Sequence, residues 1–267
     1  YSVFDEKRVF NKNNTPEIFN FRGIKLGIPI CEDIWMDNVC KELKDQGCEL
    51  IISPNGSPFD KYKINQRKTI IEDRVTEVKT PFVYVNQFGG QDELVFDGSS
   101  LVMNGNKEVV FEAPSWEENT SVVEFNVSAK KFNDLPFEKA QVSDLENIYM
   151  AMVIGLRDYV TKNNFPGVIL GLSGGIDSAF CAAVAVDALG KDKVNAYMLP
   201  SVYTSKNSLD DAKDCAKRLE IHLDSIPISN TFLSLEDSLE ILFKGLPTDI
   251  TEENLQSRIR GTILMAI

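Results

Sequence analysis

At 267 residues, with 43% hydrophobic and 25% charged side chains, the sequence can fill one or two buried cores and lacks the bias of a disordered chain. A formal net charge of −12 excludes a general nucleic-acid binder, which needs a basic face, but leaves room for a small anion held by a few amides and cations. The cysteines at 31, 40, 48, 181 and 215 include no Cys-x-x-Cys pair, so thiols in a reducing cytoplasm are expected rather than a disulfide framework. There is no signal-peptide pattern and no run of ~18 apolar residues, so no membrane partner is expected. Tyr1 in place of Met, and an apolar helical pattern running to Ile267, read as a piece of a longer protein.

In chain order, residues 24–30 are an apolar strand candidate leading directly onto Cys31, and a helix over 36–46 stops at Gly47. Residues 50–54 form a second strand, ending in the turn-rich Asn55-Gly56-Ser57-Pro58. Residues 64–78 carry helical charge patterning, and 81–85 read as a third, buried strand. Short strands over 94–96, 100–103 and 109–111 are separated by Asp97-Gly98 and Asn104-Gly105 turns, and 122–126 is the last of this part. Residues 127–143 show no periodicity and read as a linker, which divides the chain into 1–126 and 144–267. Beyond it come a helix over 144–162, a strand over 168–172, a helix over 176–189 ending at Gly190, and a strand over 194–199. A helix over 209–219 and a strand over 223–228 complete the run, with Ser208 and Asp211 resembling a capping box. That alternation predicts parallel strands with right-handed crossovers, a doubly wound sheet.

The sharpest local signal is Gly171-Leu172-Ser173-Gly174-Gly175-Ile176-Asp177-Ser178, placed between a strand and an apolar helix. Adjacent glycines let the backbone approach an oxyanion, and the helix N-terminus offers unpaired amides and a positive dipole end. Ser173 and Ser178 add hydroxyl groups. Asp177 is out of place at an anion site unless a Mg²⁺ stands between it and the phosphates. With no Gly-Lys-Ser/Thr, this is not a Walker loop. Two glycines alone fit a plain strand-to-helix turn capped by Ser173; the whole octet in this context favours phosphate binding. It resembles the loop of the ATP pyrophosphatases, which cleave ATP to AMP and pyrophosphate. That resemblance gives a reaction class and no substrate.

Ile30-Cys31-Glu32-Asp33-Ile34-Trp35 is the second signal. A cysteine at a strand end can present its sulfur at a sheet edge, and attack requires the thiolate, hence a nearby base or cation. On the position alone, a buried cysteine packing as a small hydrophobe is the better fit. The surrounding residues resemble the Cys-Glu-Asp-Ile-Trp box of nitrilase-type glutaminase domains, whose catalytic set is Glu, Lys and Cys. Residues 1–8 resemble the segment just after that family's catalytic Lys, so its Lys and Glu would precede Tyr1.

A nitrilase-like amidase followed by this loop resembles the bacterial glutamine-dependent NAD synthetases over nearly the whole chain. Further matches are Val168-Ile169-Leu170-Gly171, Leu199-Pro200-Ser201 with Tyr203-Thr204-Ser205, and the stretch from Glu253 to Thr262. The resemblance implies an α/β protein, a nitrilase-like α-β-β-α half followed by a doubly wound parallel-sheet ATP-pyrophosphatase half. It implies Cys31 as nucleophile, Tyr1, Ser57 and Lys63 as residues holding glutamine, and Asn254 as a contact to deamido-NAD. Gly171, Leu172, Ser173, Gly174, Gly175, Ile176, Asp177 and Ser178 would hold ATP, with Asp177 also a Mg²⁺ ligand. The implied reaction is ATP-dependent amidation of deamido-NAD to NAD with ammonia from glutamine, releasing AMP and pyrophosphate, in a homo-oligomer. The family's later Thr-Thr-Gly-Asn-Lys-Ser-Glu segment would lie beyond Ile267. Another ATP-pyrophosphatase amide ligase, or a non-catalytic nucleotide-binding subunit, remains open at this point. His222, the only histidine, excludes a His-based triad within the chain. Trp35 and Trp116 are expected to pack, and Arg258 and Arg260 to meet either nucleotide phosphates or surface acids.

Overall fold

Alternating side chains build the first part of the chain. In the computed structural model, which describes residues 8–11, 15–137, 142–244 and 249–267, the chain divides into two units, Tyr1–Gly155 and Leu156–Ile267. Strands β1 (Ile18–Phe21) and β2 (Ile24–Gly27) form a hairpin across Arg22 and Gly23. Both turn residues have positive φ, 50° and 83°, the left-handed pair that the tightest hairpins need. A 3₁₀ turn, Cys31–Trp35, leads into α1 (Asp37–Asp45), β3 (Leu50–Asn55), α2 (Lys63–Val78) and β4 (Phe82–Asn86). Strands β5 (Phe88–Gln91) and β6 (Leu94–Asp97) form a separate hairpin, while β7 (Leu101–Met103) and β8 (Val109–Glu112) rejoin the main sheet. Its order is β1-β2-β3-β4-β7-β8, with β2, β3 and β4 parallel.

Neighbouring residues on these strands serve opposite faces. Ile51, Phe82, Tyr84 and Met103 pack with Cys40 and Leu43 of α1 and Ile71 and Val75 of α2. Leu50, Val83 and Val102 turn the other way, as the two-residue period of a strand dictates. That second face is closed by β9 (Phe125–Asn126) and β10 (Lys131–Phe132), where Phe132 is 3% exposed and meets Phe125 edge-on at 5.0 Å. The Asn104 side chain fixes Phe132, accepting from its backbone N–H at 2.8 Å and donating to its carbonyl at 3.2 Å. So part of the stretch read as linker is core. A two-residue strand is too short for periodicity to register. Among the described residues this gives one helical layer on one large sheet, half of an α-β-β-α sandwich.

Helix α3 (Asp144–Lys162) runs into the second unit, where β11 (Val168–Gly171), α4 (Ile176–Leu189), β12 (Val194–Met198), α5 (Lys206–Leu219) and β13 (His222–Ser225) follow. The three strands pair in parallel in chain order. Ala182 and Ala185 on α4, and Ala212 and Ala216 on α5, bring both helices close to Val194 and Ala196 of the sheet. Helices α6 (Ser229–Phe243) and α7 (Ile250–Ala266) bury Phe232 and Ile259 with Leu199 and Ile228.

Several local expectations shift. Helix α6 was not legible, because its Leu233, Leu235, Ile241 and Leu242 stay exposed and give no single apolar stripe. The strand expected over 24–30 stops at Gly27, and that over 122–126 shrinks to Phe125–Asn126. Helix α5 starts at Lys206, not 209, and its cap is Ser205, whose Oγ accepts from the Ser208 N–H at 3.1 Å. His222 opens β13 rather than preceding it, with Nε2 2.8 Å from the Asp224 carboxylate on an exposed face. Among the described residues no helix is long and apolar enough to cross a membrane.

Candidate active sites

Cys31 lies beyond the end of β2, not on the strand itself, because Pro29 has no N–H to continue the ladder. Its φ is +49°, a left-handed conformation that a non-glycine residue holds only under constraint. Asp33 supplies part of that constraint: the Ile30 N–H donates to its Oδ2 at 2.9 Å, and its own N–H donates to the Ile30 carbonyl at 3.1 Å. Ile34, 1% exposed, pins the turn into the core beneath α1 and α2. The half-buried sulfur thus sits on a tight turn at the C-terminal edge of parallel strands β2 to β4, where α/β sheets place their ligands. Trp35, expected to pack, is 37% exposed; Trp116 is buried, edge-on to Phe59 at 5.0 Å, with its Nε1 donating to Asn147 at 2.8 Å.

At the same edge lies a buried polar group that the sequence did not reveal. Tyr84 on β4, Ser57 after β3, Arg67 on α2 and Asp97 ending β6 are all at most 5% exposed. The Arg67 Nη1 donates to both Asp97 carboxylate oxygens at 2.8 and 2.9 Å. Its Nε donates to Ser57 Oγ at 3.1 Å, and its Nη2 to the carbonyls of Ser57 and Pro58 at 2.8 and 3.0 Å. Burial pushes the pKa of the Tyr84 hydroxyl up to about 12. The Arg67 charge and the Ser57 hydroxyl pull the other way, while charge on Cys31 and Asp97 adds to the rise. Tyr84 therefore remains a neutral hydroxyl. Arg67 did leave a trace: it falls in line with Ile71, Val75 and Val78 on the buried stripe of α2, where an arginine needs a partner.

The other expected glutamine contacts are placed as follows. Ser57 is buried as just described, and its N–H also donates to the Asn86 side chain at 3.0 Å. Lys63 opens α2 one turn before Arg67 and is half-buried. Tyr1 lies outside the described residues. Cys40 and Cys48 are buried; desolvation pushes Cys40 up to about 12 and raises Cys48, so both stay protonated thiols. None of the five cysteines is joined in a disulfide.

The second unit carries a cavity of about 450 Å³ at the C-terminal ends of β11 and β12. Gly171, Leu172 and Ser173 form one wall, and Tyr197, Leu199, Leu209 and Leu264 give it apolar sides. The loop backbone is set by glycine: Gly174 has φ +85°, and a Cβ there would stand 2.2 Å from the Ser208 carbonyl in the first turn of α5. Ser178 knits the loop together, its Oγ accepting from the Ser173 N–H at 3.2 Å and donating to the Gly175 carbonyl at 3.0 Å. Ser173 Oγ accepts from the Gly175 N–H at 3.2 Å. Gly175 is the extended N-cap of α4, so the first amides of the helix and its dipole point out of this loop. Ile176 and Asp177 are open to solvent in the first turn, and Ser178 is half-buried.

Structure separates the two arginines. Arg260 lines the cavity, its Nε donating to the Leu199 carbonyl at 3.0 Å and its Nη2 to Gln256 at 3.3 Å, and burial lowers its pKa from the ordinary arginine value. Arg258 is exposed on α7. Asn254 is exposed on the same helix and is not among the residues lining the cavity. Among the described residues no three His, Cys, Asp or Glu side chains cluster as metal ligands.

The class defined by these features is a two-part α/β protein, with a constrained thiol turn in one unit and a glycine-built nucleotide-type loop in the other. Comparison with known proteins agrees with each part. Residues 2–131 match the carbon-nitrogen hydrolase family model and residues 148–267 the NAD synthase model. The chain is 43% identical over 266 residues to a glutamine-dependent NAD(+) synthetase of Rhodobacter capsulatus, covering 99% of this chain and 48% of that protein. It is 43% identical over 274 residues to that of Acinetobacter baylyi, covering 100% and 49%. The solved structure of the Acinetobacter baumannii glutamine-dependent NAD+ synthetase in complex with ADP superposes with a TM-score of 0.94 at 42% identity, over 100% of this chain and 50% of that one. A Cytophaga hutchinsonii glutamine-dependent NAD(+) synthetase, at 18% identity and TM-score 0.74 over 94% and 47%, shares the fold. Over its whole length the chain is similar to glutamine-dependent NAD(+) synthetases, with a carbon-nitrogen hydrolase region followed by an NAD synthase region. It spans about half the length of the curated relatives it matches.

Proposed function

We propose that the protein containing this chain converts deamido-NAD to NAD, using ATP and ammonia taken from glutamine. The observation that carries the reading is the joint presence of the Cys31 turn and the glycine-built cavity loop in a chain that matches synthetases of this kind end to end.

In the first unit, the Cys31 sulfur attacks the carboxamide carbon of glutamine, the C–N bond breaks, and ammonia leaves behind a glutamyl thioester. Water then cleaves the thioester to glutamate and restores the thiol. Ser57 and Lys63, at the same sheet edge as Cys31, are assigned to hold the glutamine, together with Tyr1. In the second unit, the loop of residues 171–178 receives the ATP phosphates at the N-terminus of α4, and the apolar side walls suit an adenine ring. The carboxylate of deamido-NAD attacks the α-phosphorus, pyrophosphate leaves, and ammonia displaces AMP from the resulting acyl-adenylate. Asn254, on α7, is assigned to deamido-NAD.

A Mg²⁺ fits this loop in one way only. A single carboxylate, Asp177, beside two hydroxyls cannot cage the ion, but one carboxylate combined with phosphate oxygens and water is how magnesium is commonly held. When bound there, the ion offsets charge on the phosphates and turns the Asp177 carboxylate from a repulsive neighbour into an attractive one.

The products of ATP test this reading. With deamido-NAD and ammonium, the full-length protein is expected to release AMP and pyrophosphate in equal amounts, one of each per NAD, measured by chromatography and a coupled pyrophosphate assay. ADP and inorganic phosphate as products would overturn it.

A further inference from the structure

Among the buried polar groups, one carries an argument beyond the reaction as proposed. We infer that Arg67, locked on Asp97, is the positioning residue that shapes the glutamine pocket around Cys31. The inference rests on the glutamine reading given above.

All three guanidinium nitrogens are used. Nη1 is spent on the Asp97 carboxylate, at 2.8 and 2.9 Å, while Nε falls on Ser57 Oγ and Nη2 on the Ser57 and Pro58 carbonyls. Asp97 cannot swing away, because Ser99 Oγ donates to its Oδ2 at 3.0 Å and the Trp116 N–H donates to its backbone carbonyl at 3.0 Å. The arginine side chain is 4% exposed and the aspartate 0%, so neither charge has water as an alternative. The segment that the fork holds, Ser57 and Pro58, follows the C-terminal end of β3, the same sheet edge at which Cys31 follows β2. The segment 56–58 has no helix or strand of its own to hold it. Its carbonyls and hydroxyl are set by a side chain from α2, the helix that also presents Lys63 one turn earlier. Arg67 touches no reacting atom in this scheme; it acts by fixing Ser57 and Pro58.

A lysine retains the charge but cannot span Asp97, Ser57 and Pro58 at once, because an ammonium lacks the planar fork. The pair can also be removed together, as Arg67→Met with Asp97→Leu, which leaves no lone buried charge and is better placed to fold than either single change. In the full-length protein, glutamine-driven and ammonium-driven NAD formation are compared for wild type, Arg67→Lys and the double variant, with iodoacetamide labelling of Cys31 alongside. Both variants are expected to raise the KM for glutamine at least tenfold. The ammonium-driven rate should stay within about twofold of wild type, and Cys31 should still be alkylated. A wild-type KM for glutamine in either folded variant overturns the inference and leaves the proposed function standing. Absence of any glutamine-driven rate in the wild-type protein overturns both.

Discussion

Replacing Cys31 with alanine is expected to lower glutamine-driven NAD formation by ~10³-fold or more, the scale of losing a catalytic nucleophile, while ammonium-driven formation is unchanged. The asymmetry follows from where the residue sits. Cys31 belongs to the first unit and the cavity to the second, so only the supply of ammonia depends on the sulfur. No neighbouring thiol can substitute, because Cys40 and Cys48 are 0% and 2% exposed and burial raises both pKa values. Alanine is a mild change for the fold here: the side chain is half-buried and the turn is held by Asp33 and Ile34 rather than by the sulfur. The two rates, measured side by side on the full-length variant, check it. A glutamine-driven rate within tenfold of wild type would remove Cys31 from the chemistry.

Gly174→Ala should be the most damaging single change in the second unit. At φ +85° any L side chain is strained, costing roughly 1–2 kcal/mol. The added Cβ would also stand 2.2 Å from the Ser208 carbonyl, which is helix backbone and cannot swing aside. Relieving such overlap costs typically ~1–3 kcal/mol more, and it would do so by pushing the loop away from α5, moving the amides proposed to receive the phosphates. Gly190→Ala is the matched control, with φ +82° but nothing within 4 Å of its Cβ. It carries the backbone strain without the collision and lies at the far end of α4 from the loop. Calorimetric ATP binding should therefore fall at least ~100-fold for Gly174→Ala and stay near wild type for Gly190→Ala, an expected difference of about 3 kcal/mol. Equal affinity in the two variants would mean that the loop does not bind the nucleotide.

What was readable in the sequence was local. The octet from Gly171 to Ser178 announces itself because strand, glycines and helix start are contiguous, and Cys31 because it opens the contiguous box Cys31-Glu32-Asp33-Ile34-Trp35, though a turn held by Asp33 replaces the strand end expected there. Alternating and continuous apolar runs located most of the strands and the helices α1 to α5. The buried group behind Cys31 was not readable, since Arg67 and Asp97 are 30 residues apart and meet only when α2 and β6 are assembled. For the same reason the core role of Phe132 was hidden: two residues of strand give no pattern, and its clamp, Asn104, is 28 residues distant. The cap of α5 was misplaced by a turn because Ser205 and Ser208 are equally good capping residues on paper. Only the observed bond from the Ser208 N–H to Ser205 Oγ decides between them.

The central claim is that the two units serve one reaction, with nitrogen passing from glutamine to the dinucleotide. Isotope transfer tests it most directly. The full-length protein is incubated with deamido-NAD, ATP and glutamine labelled with ¹⁵N in its side-chain amide, and the NAD formed is weighed by mass spectrometry. The prediction is NAD carrying one ¹⁵N, lost when Cys31 is alanine and replaced by unlabelled NAD when ammonium is then supplied. Unlabelled NAD from the wild-type protein, or glutamate released with no label reaching the dinucleotide, would contradict it.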